Sequence, residues 1–516
     1  MILVYHKNNR ISRVISEDKG ELRFNKKGTI ARGIYQLAIQ FPKLKIVWCN
    51  EEFQQYLNLK EIESIFHHDK MMLSYNPSAF NYLGKKIGYI EESPFIKVNK
   101  NVSYPTWQMS SALGVVHASL LLKINNKIKK DTDFDYYLNS VAKNCMPLGL
   151  ICYSEPRLLL DFEKSGTAKE TSLYTLFRFV KQHYKTRWVF LMAFNLAIYE
   201  RVIPLVPLLF SLFYKNRTNV KLNLDLISVQ SSQKVVKKRS LDVIIPTIGR
   251  KKHLFDVLKD FSNQILLPNK IIIVEQNPIE ASQTDLDYIQ GEKWPFEIQH
   301  FFIHQAGACN ARNMALEQTQ SEWVFLADDD NRFDSTLLSD VFDKIEQYGT
   351  EVVTTSYPQV NEIKKYNHVM QWSAFGAGCS FVKRELLEKV KFNMGFEFGY
   401  GEDGDFGMQL RNQGADVLYL AEPLILHLKA PIGGFRTKPP LQWQEDSVQP
   451  KPSPTAMLFQ ILHNTQEQIR GYKTILFFKY YKHQKIKNPM AYFINFQKQL
   501  NSSVFWANQL KQQNEV

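Results

Sequence analysis

The stretch Trp323-Val324-Phe325-Leu326-Ala327 runs directly into Asp328, Asp329 and Asp330, and no other local feature restricts the fold so much. Five apolar residues bounded by polar turns read as a buried strand. Three carboxylates at its end raise one another's pKa and lose hydration on burial, so a strand that ends this way needs positive charge close by. A divalent cation would supply it. Hard oxygen ligands suit Mg2+ or Mn2+, and the carboxyl end of a strand is where an open α/β sheet binds ligands. The alternative is a solvated acidic turn, with Asp330 or Asp334 as the N-cap of a following helix.

The surrounding text alternates strand and helix in the manner of a parallel sheet. From Ser240 onward, strands are predicted at Leu241–Thr247, Lys270–Asn277, Trp323–Ala327, Val352–Thr355 and Asp416–Leu420. Helices are predicted at Arg250–Gln264, Ala311–Gln318, Arg384–Val390 and Asp405–Asn412. This order reads as a doubly wound, nucleotide-binding half with an acceptor-binding half attached. Pro439, Pro440, Pro450, Pro452 and Pro454 mark a linker into a basic tail.

A length of 516 residues implies two to four domains. Five scattered cysteines without a CxxC pair argue for a reducing compartment and against structural zinc. The amino terminus lacks a signal-peptide pattern, so a cytoplasmic setting is expected. Of the net charge of +13, most lies in two flanks: residues 214–239 carry seven Lys or Arg against one Asp, and residues 437–516 carry ten against four acids. Aromatic and apolar runs beside them, Arg187–Phe194, Val202–Phe210 and Ile475–Lys482, point to an anionic membrane surface rather than nucleic acid. None is a continuous apolar run of transmembrane length, so interfacial contact is the expectation, with ordinary helices packed on their own domains as the alternative.

An internal repeat organises the amino-terminal part. ARGIYQLAIQFPKLKIVWCNEEF, from Ala31, matches ARNMALEQTQSEWVFLADDDNRF, from Ala311, in length and in the order helix, strand, polar turn, Phe. Trp48, Cys49 and Asn50 then stand where Asp328, Asp329 and Asp330 stand. Asp131-Thr132-Asp133-Phe134 resembles Asp403-Gly404-Asp405-Phe406, and Ser154-Glu155-Pro156 resembles Ala421-Glu422-Pro423. The first part therefore reads as a degenerate copy of the second that lacks the metal motif.

The second acidic motif is Gly399-Tyr400-Gly401-Glu402-Asp403-Gly404-Asp405. Its glycines let a loop approach a ligand, and Asp405 is expected to cap the following helix. Asp403 is then free to act as a base toward an incoming hydroxyl, with Glu402 in support, while a metal holds the leaving diphosphate. Arg312, followed by Asn313, is expected to open a helix and contact the nucleotide or its diphosphate through its guanidinium; a plain surface charge is the other reading. His427, read by itself, fits the commoner structural role of a lone His. Gly433 and Arg436 read as a mobile basic loop over the donor, and Trp372, with Gly376 and Gly378, as an acceptor platform. Trp372 as core filler is an equal alternative.

Taken together, Val243-Ile244-Ile245-Pro246-Thr247 with Gly249-Arg250, then Ala311-Arg312-Asn313, the aspartate run and the Glu402-Asp403 pair resemble the inverting glycosyltransferases of family 2, which have the GT-A fold. The resemblance covers about residues 240–436. It implies that Pro246, Thr247 and Glu275 line the nucleotide pocket, which Arg250, Arg312 and Asn313 are also expected to serve, and that Asp328 and Asp330 form a DxD element touching ribose and metal. It implies Asp403 as the base and, in some GT-A enzymes, a third metal ligand at the position of His427. Two departures are visible: Glu275 stands where Asp is usual, and the aspartates admit a register in which Asp329 is the metal ligand.

The expected organisation is an α/β chain of four parts. Residues 1–165 form a degenerate GT-A-like domain, 166–239 a helical basic connector, 240–436 the catalytic GT-A domain, and 437–516 a basic, aromatic, helical tail. The expected activity is Mn2+- or Mg2+-dependent transfer of a sugar, with inversion, from a nucleotide diphosphate sugar to a glycan or lipid-linked glycan hydroxyl in bacterial surface polysaccharide synthesis. Its expected place is the inner face of the cell membrane. The rival classes are a nucleotidyltransferase, for which Pro246–Arg250 is a poor phosphate loop, and a non-catalytic glycan-binding or assembly protein.

Overall fold

The computed structural model describes residues 1–25, 27–160, 171–430 and 440–514. They divide into two compact units, Met1–Gln233 with Asn464–Lys479, and Lys234–His463 with the chain from Tyr480 onward. Among the described residues no helix is long and apolar enough to cross a membrane. All five cysteines are free and buried.

The first unit is built on β1 (Ile2–Lys7), β2 (Arg10–Ser16), β3 (Gly20–Glu21), β4 (Lys45–Asn50), β5 (Met71–Tyr75), β6 (Tyr104–Pro105), β7 (Leu113–His117) and β8 (Ile151–Ser154). Their spatial order is β3-β2-β1-β4-β7-β5-β8-β6. The second unit has β9 (Leu241–Thr247), β10 (Lys270–Gln276), β11 (Glu297–Ile303), β12 (Trp323–Ala327), β13 (Asn331–Arg332), β14 (Val352–Ser356), β15 (Met370–Gln371), β16 (Cys379–Lys383), β17 (Leu418–Leu424) and β18 (Leu426–His427). Eight of these form a sheet in the order β11-β10-β9-β12-β16-β14-β17-β15, and β13 pairs with β18 apart from it.

The two sheets share one plan. In each, the strand bearing the repeated motif runs parallel to the first strand of its unit and antiparallel to its other neighbour, as β4 does between β1 and β7 and β12 between β9 and β16. The outer strands agree as well: β5 is parallel to β8 as β14 is to β17, and β6 antiparallel to β8 as β15 is to β17. The difference lies at the other edge. β9, β10 and β11 are mutually parallel and therefore need crossover connections, one of them the helix Lys251–Ser262. β1 and β2 instead form an antiparallel hairpin closed by Asn8 and Asn9, both at positive φ. A hairpin leaves no room for crossover helices, so the first unit lacks the parallel edge that β9, β10 and β11 form in the second.

One glycine position supports the repeat independently. Gly114 pairs with Trp48 across β7 and β4, and a Cβ there would lie 2.2 Å from the indole Cζ2 and 2.5 Å from the Leu73 carbonyl oxygen. Gly378, just before β16, faces Asp328 in the same way, with a Cβ falling 2.1 Å from Oδ2. The same missing side chain admits a buried indole in one unit and a carboxylate in the other.

In the second unit β9, β10 and β12 are buried almost throughout, as expected of parallel strands covered on both faces. The helix Lys251–Ser262 turns Leu254, Val257, Leu258 and Phe261 inward, the spacing of a single apolar stripe. The helix Leu337–Tyr348 ends on Gly349 at φ 61°, where a left-handed residue closes the last turn.

Several boundaries differ from the sequence reading. The helix expected from Ala311 begins at Ala308, because the Glu397 carboxylate accepts the backbone N–H groups of Cys309 and Asn310 and so caps it from a distant loop. The helix expected from Asp405 begins at Glu402, behind Gly401 at φ 121°. Asp405 is therefore not its cap; it is buried inside the first turn, accepting from Gln409 and hydrogen-bonded to His463 at 2.7 Å. The helix expected over Arg384–Val390 stops at Leu387, and the strand placed at Asp416–Leu420 lies at Leu418–Leu424. Strands β11 and β16 lie outside the elements expected from the sequence. Neither Asp330 nor Asp334 caps the helix Leu337–Tyr348, whose N-cap is Thr336.

Gly114→Ala is expected to destabilise the first unit by roughly 1–3 kcal/mol through overpacking against Trp48. Urea unfolding followed by tryptophan fluorescence measures this as a lowered midpoint.

Candidate active site

At the carboxyl ends of β9, β10 and β12 lies a cavity of about 380 Å³. Strand ends expose backbone and polar side chains to one open crevice, and the crossover connections leave that crevice accessible. Pro246, Thr247, Ile248 and Arg250 line it from the first strand and turn, and Gln276 from the second. Gly307, Cys309 and Arg312 come from the amino-terminal end of the helix Ala308–Leu316, the three aspartates from β12, and Glu397 and Glu402 from the glycine-rich loop. His427 and Lys429 complete the wall.

The acidic run is not a solvated turn, since Asp329 is 3% and Asp330 2% exposed. Each aspartate has its own environment. Asp329 accepts from Thr247 Oγ1 at 2.7 Å and from the Arg250 guanidinium, yet burial outweighs both and raises its pKa to about 6. Asp330 is also penalised by burial, but the neighbouring His427 imidazole, the Ala430 N–H and the charge of Arg250 bring it down to about 2. Asp328 is more open and accepts from Arg312 at 3.1 Å and from the Tyr357 hydroxyl at 3.3 Å.

His427 reaches this cluster through the small β13–β18 ladder, in which Asn331, the residue after Asp330, pairs directly with His427. The Tyr357 ring stacks on the imidazole at 4.6 Å, and His427 Nε2 lies 3.5 Å from Asp330 Oδ1. The Asp330 carboxylate raises the His427 pKa against the effect of burial.

Among the described residues no cluster of three His, Cys, Asp or Glu side chains is assembled for a metal. Asp330 Oδ1 is nonetheless an enclosed oxygen without a hydrogen-bond partner, and Asp328 and His427 line the same cavity. Two hard oxygen donors and an imidazole fit such a cation when further oxygens come from a bound diphosphate.

Asp403 sits in the first turn of the helix Glu402–Asn412, one residue behind the cavity wall that Glu402 forms. One of its oxygens, Oδ1, is enclosed and makes no hydrogen bond, while the Ala377 N–H serves the carboxylate. Burial raises its pKa to about 7; Arg312 opposes this, and the charges of Glu402 and Asp328 add to it. Burial also raises the pKa of Glu402.

The remaining sequence candidates are dispersed. Glu275 is buried beside the cavity rather than on its wall, accepting from Thr284 and hydrogen-bonded to His300; Gln276, one residue on, is the wall residue and accepts from the Gly307 N–H. Asn313 turns away to exchange hydrogen bonds with the backbone of Phe392, fastening the loop that leads to Glu397. Trp372 packs against Tyr419 at 4.8 Å and Tyr366 at 5.1 Å and lies outside the cavity wall; Gly376 abuts Cys379. Gly433 and Arg436 lie outside the described residues. Glu397, Tyr357, Gln276 and Lys429 gave no motif signal, because their partners are set by chain segments far away in sequence.

Residues 242–404 match the family model described as Glycosyl transferase family 2, so the second unit carries a glycosyltransferase family 2 domain. The strand order and the site at the carboxyl ends of its strands agree with the GT-A reading. Over 188 residues the chain is 27% identical to the GalNAc(5)-diNAcBac-PP-undecaprenol beta-1,3-glucosyltransferase of Campylobacter jejuni, covering 33% of this chain and 59% of that relative's length. Among solved structures, S. aureus TarS 1-349 in complex with UDP-GlcNAc matches at 17% identity and a TM-score of 0.36, over 52% of this chain and 81% of that one. The mannosyltransferase PcManGT of Pyrobaculum calidifontis, in complex with GDP-Man and Mn2+, matches at 13% and 0.32, over 55% and 76%.

Because the folded pKa of Asp403 lies near 7 and its ordinary value near 3.8, the folded state binds its proton more tightly, and stability is lost as pH rises through that window. Asp403→Asn is therefore expected to have a higher thermal midpoint than the wild type at about pH 8, with the difference shrinking below about pH 4. Melting curves across that range measure the sign.

Proposed function

We propose that the second unit transfers a sugar from a nucleotide diphosphate sugar to a hydroxyl of a glycan acceptor, by one in-line displacement with inversion. The observation that carries the reading is the partnerless, buried oxygen of Asp403, on a carboxyl whose pKa is about 7, beside a cavity lined by Asp328 and Arg312. A group poised near neutrality is suited to removing a proton from a hydroxyl. Asp403 takes the acceptor proton as the oxygen attacks the anomeric carbon, and the bond to the diphosphate breaks on the opposite face. Glu402, on the cavity wall, supports the acceptor. Arg312 and Lys429 attract the diphosphate charge.

Pro246, Thr247 and Gln276 lie along the side suited to the nucleotide. Arg250 holds Asp329 and Asp330 in place, and Asp328 is the aspartate left open toward donor ribose. Mn2+ or Mg2+, held by Asp328, Asp330 and His427, would supply charge neutralisation at the leaving phosphate oxygens. The Campylobacter relative's lipid-linked substrate supports a lipid-linked glycan acceptor here, with work at the inner face of a bacterial membrane in surface polysaccharide synthesis.

A thermal-shift panel of UDP-, GDP- and dTDP-sugars, with and without Mn2+, is expected to find a donor that raises the melting temperature. No shift and no metal-dependent turnover with any donor would sink the reading. With that donor, Asp403→Asn is expected to lower transfer by about 10²–10⁴-fold while the donor shift survives, and Glu402→Gln to lower it less. Full activity in the Asn variant would remove Asp403 from the role of base.

A further inference from the structure

The first unit carries an apolar surface that the proposed transfer reaction does not use. The helix Arg187–Tyr199 buries Val189, Met192 and Leu196 on one side. Phe190, Phe194 and Ile198 form an exposed stripe on the other, four residues apart. Such a helix is apolar on both faces, which suits burial or a lipid surface and not water. The next helix, Leu205–Leu212, is inverted outright: its single buried residue is Ser211, whose hydroxyl donates to the Leu208 carbonyl, while its apolar side chains face outward. Between and after the helices, Ile203 is 81% and Phe213 88% exposed. Monomeric proteins seldom leave so much contiguous apolar surface without a partner.

The charges around this surface select the partner. Lys185, Arg187, Arg201 and Lys215 are all exposed along residues 185–215. The one acid in that span, Glu200, is partly buried and accepts from the Tyr89 hydroxyl at 2.8 Å. Trp188, Tyr199 and Tyr214 add the amphipathic rings that settle at a headgroup boundary. A second copy docking through this face would bring two basic rims together, whereas an anionic bilayer accepts both the apolar stripe and the rim.

We propose that the helices Arg187–Tyr199 and Leu205–Leu212, with Ile203 and Phe213, insert into the headgroup boundary of an anionic lipid bilayer. The inference deepens the reading of a lipid-linked acceptor and rests on it for the reaction's need of a membrane. Vesicle binding is measured without donor or acceptor, so either reading can fail alone.

The full-length chain is sedimented with vesicles of phosphatidylcholine alone and of phosphatidylcholine mixed with phosphatidylglycerol. Binding to the anionic vesicles is expected to be at least about tenfold tighter and to weaken with salt. Ile203→Asp with Leu209→Asp and Phe213→Asp should lower it by a further factor of about ten or more, with the donor thermal shift unchanged. Lys185→Glu with Arg187→Glu and Lys215→Glu, which leaves the apolar face intact, should remove the anionic preference. Failure to bind either vesicle, or equal binding by the wild type and both variants, overturns the proposal. So does a dimer, seen by sedimentation without lipid, that the Asp substitutions dissolve.

Discussion

The ion pairing of Arg250 with Asp329 and Asp330 is the interaction on which the site depends. Two carboxylates buried at 3% and 2% exposure cannot remain ionised side by side without a compensating charge. Arg250 lies just past the first strand, so its reach across to β12 ties together the two strand ends that border the cavity. With Asp329 committed to Thr247 and Arg250, the neighbouring aspartates are left with separate tasks. Asp328 turns to Arg312 and the open cavity, and Asp330 to His427 and the loop around Ala430.

The first unit shows the same frame without that chemistry. Its β4 ends in Trp48, Cys49 and Asn50, and the indole fills the space over Gly114 that a carboxylate occupies over Gly378. Asp131, which stands where Asp403 stands in the repeat, is closed off in ion pairs with Arg178 and Arg217. A carboxylate held by two guanidinium groups is an anchor for structure, not a free base. The parallel β9–β11 edge that borders the cavity is replaced in the first unit by the β1–β2 hairpin, so the two differences agree.

Much of the site was legible because its residues sit at the ends of regular elements. A buried strand with charged residues at its end is visible as text, and so is a glycine-rich loop ahead of a helix. Asp328–Asp330, Arg312 and Glu402, singled out on that basis, line the cavity, and Asp403 lies one residue behind its wall. Boundaries failed where a distant group intervened. The Glu397 carboxylate starts a helix three residues early, and the contacts of Asp405 with Gln409 and His463 turn an expected cap into a buried post. Trp372 illustrates a different limit: an aromatic beside glycines suits a sugar platform and a core equally, and only its stacking on Tyr419 places it outside the cavity wall.

The sequence by itself determined the alternation of strands and helices, the repeat and the positions of the acidic motifs, since each is written in local periodicity and spacing. Tertiary structure decided which aspartate is neutralised, which is open, and which carboxyl is raised toward neutrality. Those properties depend on burial and on groups such as Arg250, Arg312 and the Ala430 N–H, contributed by segments 16 to 100 residues distant along the chain. A carboxylate's chemistry is set by the distance to its neighbours in space, and one-dimensional order does not contain that distance.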